Sequence, residues 1–211
     1  MATLRERQKE RRHSAIMDAA WEVFGQKGLD ETSVEEIAAR AEVGTATVYA
    51  YFSSKNDLLA ALLVQYVAQQ TAAGEDVLKD PPSDIVDGMS ALFNRYLEGM
   101  VSHCGPYLLR EFSALAMSRR FDYGRDAYEL RLSLMDQAHQ LVIHYKKLGQ
   151  IREDATTEEA MTLCYSAALF PMMLFALGLG TDLQTARRTI RRRLTLALAG
   201  IGQHDRDHDK A

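Results

Sequence analysis

The stretch Ser33–Lys55, SVEEIAARAEVGTATVYAYFSSK, spells two short helices separated by a tight turn. Ser33, followed three residues later by Glu36, forms a capping box, and Val34, Ile37, Ala38 and Ala41 keep helical spacing behind it. Glu42-Val43-Gly44 breaks this helix. From Thr45 to Phe52 the period resumes, with Val48 and Phe52 on one side and Thr45, Thr47, Tyr49 and Tyr51 left for the others. Such a pair reads as a helix-turn-helix that lays its second helix in the DNA major groove, where Thr and Tyr side chains reach phosphates and base edges. Two core helices with half-buried tyrosines satisfy the same spacing, so these residues alone leave both readings open.

Toward the N-terminus, Ile16, Ala19, Ala20, Val23 and Phe24 repeat at three and four, predicting an amphipathic helix from about His13 to Lys27 with Gly28 as its left-handed C-cap. Before it stand Arg5, Arg7, Lys9, Arg11 and Arg12 against Glu6 and Glu10. A basic arm of this kind can lie along a phosphate backbone, and it can equally be a solvated, frayed terminus. The charged start has no apolar run of the signal-peptide kind, so the expected location is the cytoplasm.

Toward the C-terminus, Ser54 with Asp57 caps a long helix carrying Leu58, Leu59, Leu62, Leu63, Tyr66 and Val67. Lys55 in its first turn is poorly placed for the helix dipole but well placed for a phosphate attracted by the free N–H groups there. Gly74 to Ser83, containing Asp80-Pro81-Pro82, reads as the clearest break in the chain. Ser83 is then the expected cap of a helix with Ile85, Met89, Leu92, Phe93, Tyr96 and Met100 on one face, ending near His103-Cys104-Gly105. Pro106 opens the next, through Leu109, Phe112 and Met117 to about Phe121; another runs from about Arg125 to Lys147 with Tyr128, Leu132, Met135, His139, Val142 and Tyr145. With no strand pattern anywhere, the expected fold is all-α: a helix-turn-helix domain over 1–54 and a larger helical domain over 55–211.

The run Ala160–Thr181 carries no charge, which passes a first test for a membrane span. Pro171, Thr162, Ser166, Gly178 and Gly180 thin it, and no basic flank sets an orientation, so we read instead a helix packed by its own domain on one side and by a second subunit on the other. Asp182 starts the last helix, whose stripe Leu183, Ala186, Ile190, Leu194, Ala197 and Ile201 faces away from Arg187, Arg188, Arg191, Arg192 and Arg193. That arginine cluster fits a solvated face, interface ion pairs or DNA contacts. His204 and His208 in the polar tail lack the further ligands a metal site requires.

A chain of 211 residues, 47% hydrophobic and 26% charged, is that of an ordinary globular protein. Its net charge of −4 does not exclude nucleic acid as a partner, because placement of charge decides that question. Cys104 and Cys164 read as free buried thiols. Without a glycine-rich phosphate loop, a nucleophile elbow or a metal-ligand set, neither an enzyme nor a cofactor is expected. A helical protein-interaction module that never touches DNA is the remaining alternative.

The segments IMDAAWEVFGQKG, TSVEEIAARAEV, TVYAYF and SKNDLL, within residues 16–63, resemble the N-terminal signature of the TetR (tetracycline repressor) family of bacterial transcriptional regulators. The resemblance implies a homodimer joined through the last two long helices, a palindromic double-stranded operator, and a small-molecule effector that releases a repressor. It implies DNA contacts by Thr47 and Tyr49, base reading by Thr45, and a phosphate contact by Lys55, with Ser33, Gly44, Ala46 and Tyr51 completing the expected DNA-facing set. Two positions depart from the pattern: Glu42 stands where glycine is usual in the turn, and Gly44 replaces the usual serine cap. An effector pocket is expected among Tyr96, His103, Tyr107, Arg110, Met117, Met135, His139 and Phe175.

Overall fold

The computed structural model describes residues 3–117, 124–180 and 182–202, and among these the chain is helical with no strand beyond an isolated bridge between Ile151 and Gly202. The helices are α1 (Leu4–Lys27), α2 (Val34–Arg40), α3 (Thr45–Tyr51), α4 (Lys55–Lys79), α5 (Ile85–His103), α6 (Pro106–Met117), α7 (Gly124–Lys147), α8 (Thr157–Ala176) and α9 (Leu183–Ala199). They group into two compact units, Met1–Val67 with His103–Tyr128, and Ala68–Ser102 with Glu129–Ala211. Packing thus divides the chain inside α4 and gives α6 to the first unit, whereas the sequence pattern divides it at 54/55.

The first unit needs those additions. A three-helix module of this size buries too little apolar surface to be comfortably stable. Ile16, Ala20 and Phe24 of α1, Ile37 of α2 and Val48 of α3 are joined in the core by Leu58 and Leu62 of α4 and by Leu108 and Phe112 of α6. Phe112 stacks on Tyr66 with ring centroids 5.4 Å apart and meets Trp21 edge-on at 6.1 Å. Gly105 lets α6 begin against α1: a Cβ there would lie 2.8 Å from the Gly25 carbonyl oxygen.

Three local expectations are corrected. α1 begins at Leu4 rather than near His13, because Thr3 and Glu6 form a capping box with Thr3 Oγ1 accepting from the Glu6 N–H at 3.2 Å. α4 does not break at Gly74 but runs on to Lys79. There the glycine serves close approach, since a Cβ would lie 2.3 Å from Gln137 Oε1. At α5 it is Asp84, not Ser83, whose carboxylate accepts the N–H groups of Val86 and Asp87 (2.9 and 3.1 Å). Gln150 completes that start by accepting from the Ile85 N–H and donating to the Ser83 carbonyl.

The second unit closes around Met89, Leu92, Phe93 and Leu97 of α5, Leu141, Val142 and Tyr145 of α7, Cys164 and Ala168 of α8, and Ile190 and Leu194 of α9. α8 buries Ala160, Cys164, Ala168 and Pro171, a stripe of small residues, and leaves Leu169 and Phe170 exposed. It is the one helix among the described residues long and apolar enough to cross a membrane. The arginine cluster is partly spent within the unit. Arg187 pairs with Glu98 at 2.7 Å, Arg191 with Asp87 at 2.5 Å, and Arg193 lies over the Phe170 ring. Cys104 and Cys164 are free and buried, and burial pushes each thiol up to about 12, far from a reactive thiolate. The tail with His204 and His208 lies outside the described residues, as does the segment around Phe121.

Candidate nucleic-acid interface

The helix pair of the opening stretch is built as its residues require. Ser33 and Glu36 cap α2 reciprocally: Ser33 Oγ accepts from the Glu36 N–H at 3.2 Å, and the Glu36 carboxylate accepts from the Ser33 N–H at 2.9 Å. Lys27 Nζ also reaches that carboxylate at 2.5 Å and, with the Ser33 N–H, holds it down to about 2. This ties α1 to the start of α2. Ser33, one of the expected DNA contacts, has its hydroxyl occupied in this cap.

The turn is a Schellman motif. After the Ala41 cap, the Glu42 N–H bonds the Ala39 carbonyl at 3.2 Å and the Val43 N–H bonds the Ala38 carbonyl at 3.0 Å. This geometry places the residue after the cap in the left-handed region, and Glu42 sits there at φ 55°, the only non-glycine with positive φ among the described residues. Gly44 is the N-cap of α3 in an extended conformation and makes no side-chain cap bond, as a glycine must. Both departures noted in the sequence therefore have a physical expression in the same turn.

Val48 and Phe52 anchor α3 in the core. Tyr49 points outward with 53% of its surface exposed, Ala46 is exposed beside it, and Thr45 and Thr47 are half-buried. Tyr51 departs from its neighbours. Its hydroxyl donates to the Lys9 carbonyl at 3.2 Å, and its ring lies 6.0 Å from His13. Between α1 and α3 runs a groove of about 510 Å³ lined by Arg5, Gln8, Lys9, Arg12, Ala46, Thr47, Ala50 and Tyr51. Arg5, Lys9 and Arg12 of the basic arm are set in that lining because α1 is helical from Leu4 onward, which the basic residues by themselves do not indicate. The Thr3-x-x-Glu6 spacing was the signal that could have shown it.

Lys55 is half-buried and donates to two carbonyls, Leu29 at 2.9 Å and Thr32 at 2.7 Å, closing the loop between α1 and α2. An ammonium has three donors, so one remains for an outside acceptor. Beside it, the Asp57 N–H donates to Ser54 Oγ at 3.1 Å, the cap the sequence predicts for α4.

The expected effector residues are divided between the units. Tyr107 and Arg110 belong to the first, where the Arg110 guanidinium lies 5.5 Å from the centre of the Tyr107 ring. Tyr96, Met135, His139 and Phe175 belong to the second. There the Tyr96 hydroxyl donates to Gln137 Oε1 at 2.6 Å, and Gln137 Nε2 donates to the Thr71 carbonyl at 2.7 Å. Burial raises the Tyr96 phenol above its ordinary range, keeping it a neutral donor. His139 Nε2 is buried without a hydrogen-bond partner. The side chains of His103 and Met117 lie outside the described residues.

A capped helix, a Schellman turn and a core-anchored second helix with an outward tyrosine define the class: a helix-turn-helix protein. Residues 16–62 match the family of bacterial regulatory proteins called the tetR family. Over 74 residues the chain is 34% identical to the fatty acid metabolism regulator protein of Bacillus subtilis, a stretch covering 35% of this chain and 38% of that protein. An uncharacterised HTH-type transcriptional regulator of the same organism, YdeS, is 29% identical over 169 residues, covering 77% of this chain and 78% of that one. Among solved structures, SmeT, the repressor of the Stenotrophomonas maltophilia multidrug efflux pump SmeDEF, shares the fold with a TM-score of 0.67 at 21% identity, covering 91% of each chain. The helix-turn-helix region, residues 16–62, is thus of the tetR family's type, and the chain as a whole shares the fold of that solved structure.

Proposed function

We propose that this protein is a cytoplasmic DNA-binding transcriptional regulator, a homodimeric repressor that leaves a palindromic operator when a small molecule binds its second unit. The observation that carries this reading is the outward side of α3. A seven-residue helix fixed by Val48 exposes Tyr49 beside Thr45, Ala46 and Thr47, the shape and chemistry that enter a major groove. Residues 1–54 then form the DNA-binding domain, and the third donor of Lys55 takes a backbone phosphate.

Dimerisation through α8 and α9 is supported by Leu169, Phe170 and Leu196, which expose 52%, 46% and 67% of their surface. Apolar side chains exposed on the uncharged stretch of α8 and near the end of α9 favour burial against a second copy. For the effector, Tyr96, Met135, His139 and Phe175 of the second unit are the favoured residues. An unpartnered buried nitrogen on His139 costs about 1–3 kcal/mol, which a ligand acceptor or donor would recover. The effector shifts the protein only if it binds one arrangement of α4 better than another. Two recognition helices must lie about 34 Å apart to enter successive major grooves, so a displacement of a few ångströms abolishes simultaneous binding.

Selection of bound duplexes from the DNA upstream of its own coding region tests this. The expected result is a two-fold symmetric site with half-site centres about one helical turn apart, its affinity weakened by about 1–3 kcal/mol in Tyr49→Ala. Retention of no duplex, or full affinity in Tyr49→Ala, would overturn it and favour the protein-interaction alternative.

A further inference from the structure

We propose that the first turns of α1 form a phosphate-gripping wall: Arg5, Lys9 and Arg12 hold the DNA backbone flanking the site read by α3, and Tyr51 positions that wall rather than touching DNA. This rests on the DNA-binding reading and goes beyond it.

The charges of α1 are sorted around the helix. Arg5, Gln8, Lys9 and Arg12 fall at i, i+3, i+4 and i+7, one face, and these four line the groove against Ala46, Thr47 and Ala50 of α3. That face carries three positive charges and no acid. Glu6, Glu10 and His13 occupy the neighbouring face and line a separate groove with Lys9, Ala50 and Tyr51. Arg7 and Arg11, four apart, fall on the side away from α3. Among the described residues Arg5, Lys9 and Arg12 make no ion pair, whereas Lys27 and Arg40 on the same unit are both paired with glutamates. Three unpaired cations beside a recognition helix are complementary to a polyanion.

The wall has a support that a frayed terminus lacks. Residues 3–14 are all exposed, so no apolar burial holds them. Their order comes from the Thr3–Glu6 capping box at one end and, two turns later, from the Tyr51 hydroxyl on the Lys9 carbonyl and the His13 ring 5.4 Å from Phe52. Ala46 and Ala50, one turn apart on α3, are small enough to leave the groove open. From Arg5 to Arg12 the helix rises about 10 Å at 1.5 Å per residue, which matches roughly three phosphates of one strand at 3.4 Å each along the duplex axis.

The test compares salt dependence of binding to the selected duplex, with a scrambled duplex alongside, for the full chain and three variants whose helicity and unfolding midpoint are checked first. Removing Arg5, Lys9 and Arg12 together by alanine should lower the magnitude of the slope of log K against log salt by about 2.7 per bound chain, at about 0.9 per phosphate, while leaving discrimination between duplexes unchanged. Arg7→Ala with Arg11→Ala should leave the slope near the parental value. Tyr51→Phe, which keeps the ring and removes the bond to Lys9, should lower the slope part of the way with discrimination intact. An unchanged slope in the triple variant, an equal fall per charge in the Arg7/Arg11 pair, or loss of discrimination in Tyr51→Phe at unchanged slope would each overturn the proposal. Absence of salt-dependent binding in the unaltered protein would instead remove the DNA reading on which it rests.

Discussion

Replacing Glu42 by glycine should stabilise the protein, although it removes a side chain and adds none. Glu42 occupies the position after the helix cap in a Schellman turn at φ 55°. Among the described residues the same turn recurs after α7 and after α8, with Gly149 (φ 73°) and Gly178 (φ 67°) at the corresponding positions, Gln150 bonding the Tyr145 carbonyl and Leu179 the Leu174 carbonyl. For a residue with a Cβ the left-handed conformation costs about 1–2 kcal/mol. Glycine avoids that cost but loses about 0.5–1 kcal/mol more backbone entropy on folding. The difference favours Glu42→Gly by about 0.5–1 kcal/mol, or about 1–4 °C in unfolding midpoint for a chain of this length. By comparison Gly44→Ser, which restores the missing cap, gains only a few tenths of a kcal/mol. Circular-dichroism melts of the DNA-free protein read both, with Glu42→Ala as the control that keeps the Cβ. If Glu42→Gly is no more stable than Glu42→Ala, the strain argument is wrong.

Three further outcomes follow from named contacts. Glu36 titrates at about 2 in the fold against an ordinary value of 4.5, so it contributes stability that is complete above pH 4.5 and is lost as pH falls toward 2. Chemical denaturation of Glu36→Gln should therefore differ from the parent at pH 6 and converge with it in acid. Gly74→Ala forces Gln137 from its place, with loss of its bonds to Tyr96 and Thr71. It should lower stability by about 1–3 kcal/mol despite alanine's better helix propensity, and Gln137→Ala in the same chain should make the substitution cheaper. Phe170→Glu places a charge on the apolar side of α8 and should convert a dimer to a folded monomer by light scattering; a dimer of unchanged stability would move the interface elsewhere.

Much of this fold is written locally. The Ser33–Glu36 capping box, the Gly28 cap, the Pro106 start and the Asp182 cap are each set by residues within one turn, and the sequence places those helix ends correctly. Gly74 misleads because the reason for it is remote in sequence: a glutamine on α7 fills its missing side chain, and no local pattern shows that. Likewise the role of Tyr51 depends on a carbonyl 42 residues away, so helical spacing could group it with Tyr49 but could not separate the two. Lys55 is legible as a cation at a helix start, while its two carbonyl partners come from the loop that α4 closes. The arginines of α9 are ambiguous in sequence because their acids, Asp87 and Glu98, lie on another helix.

The central claim is that α3 and its surroundings read DNA. The most direct measurement is the affinity of the purified protein for its selected duplex between about 50 and 200 mM salt. With several phosphates neutralised per half-site, the expected result is a linear fall of log K against log salt, amounting to about 10³-fold or more across that range, and tighter binding to the selected duplex than to a scrambled one throughout. Affinity that is independent of salt, or equal for the two duplexes at every salt concentration, would contradict it.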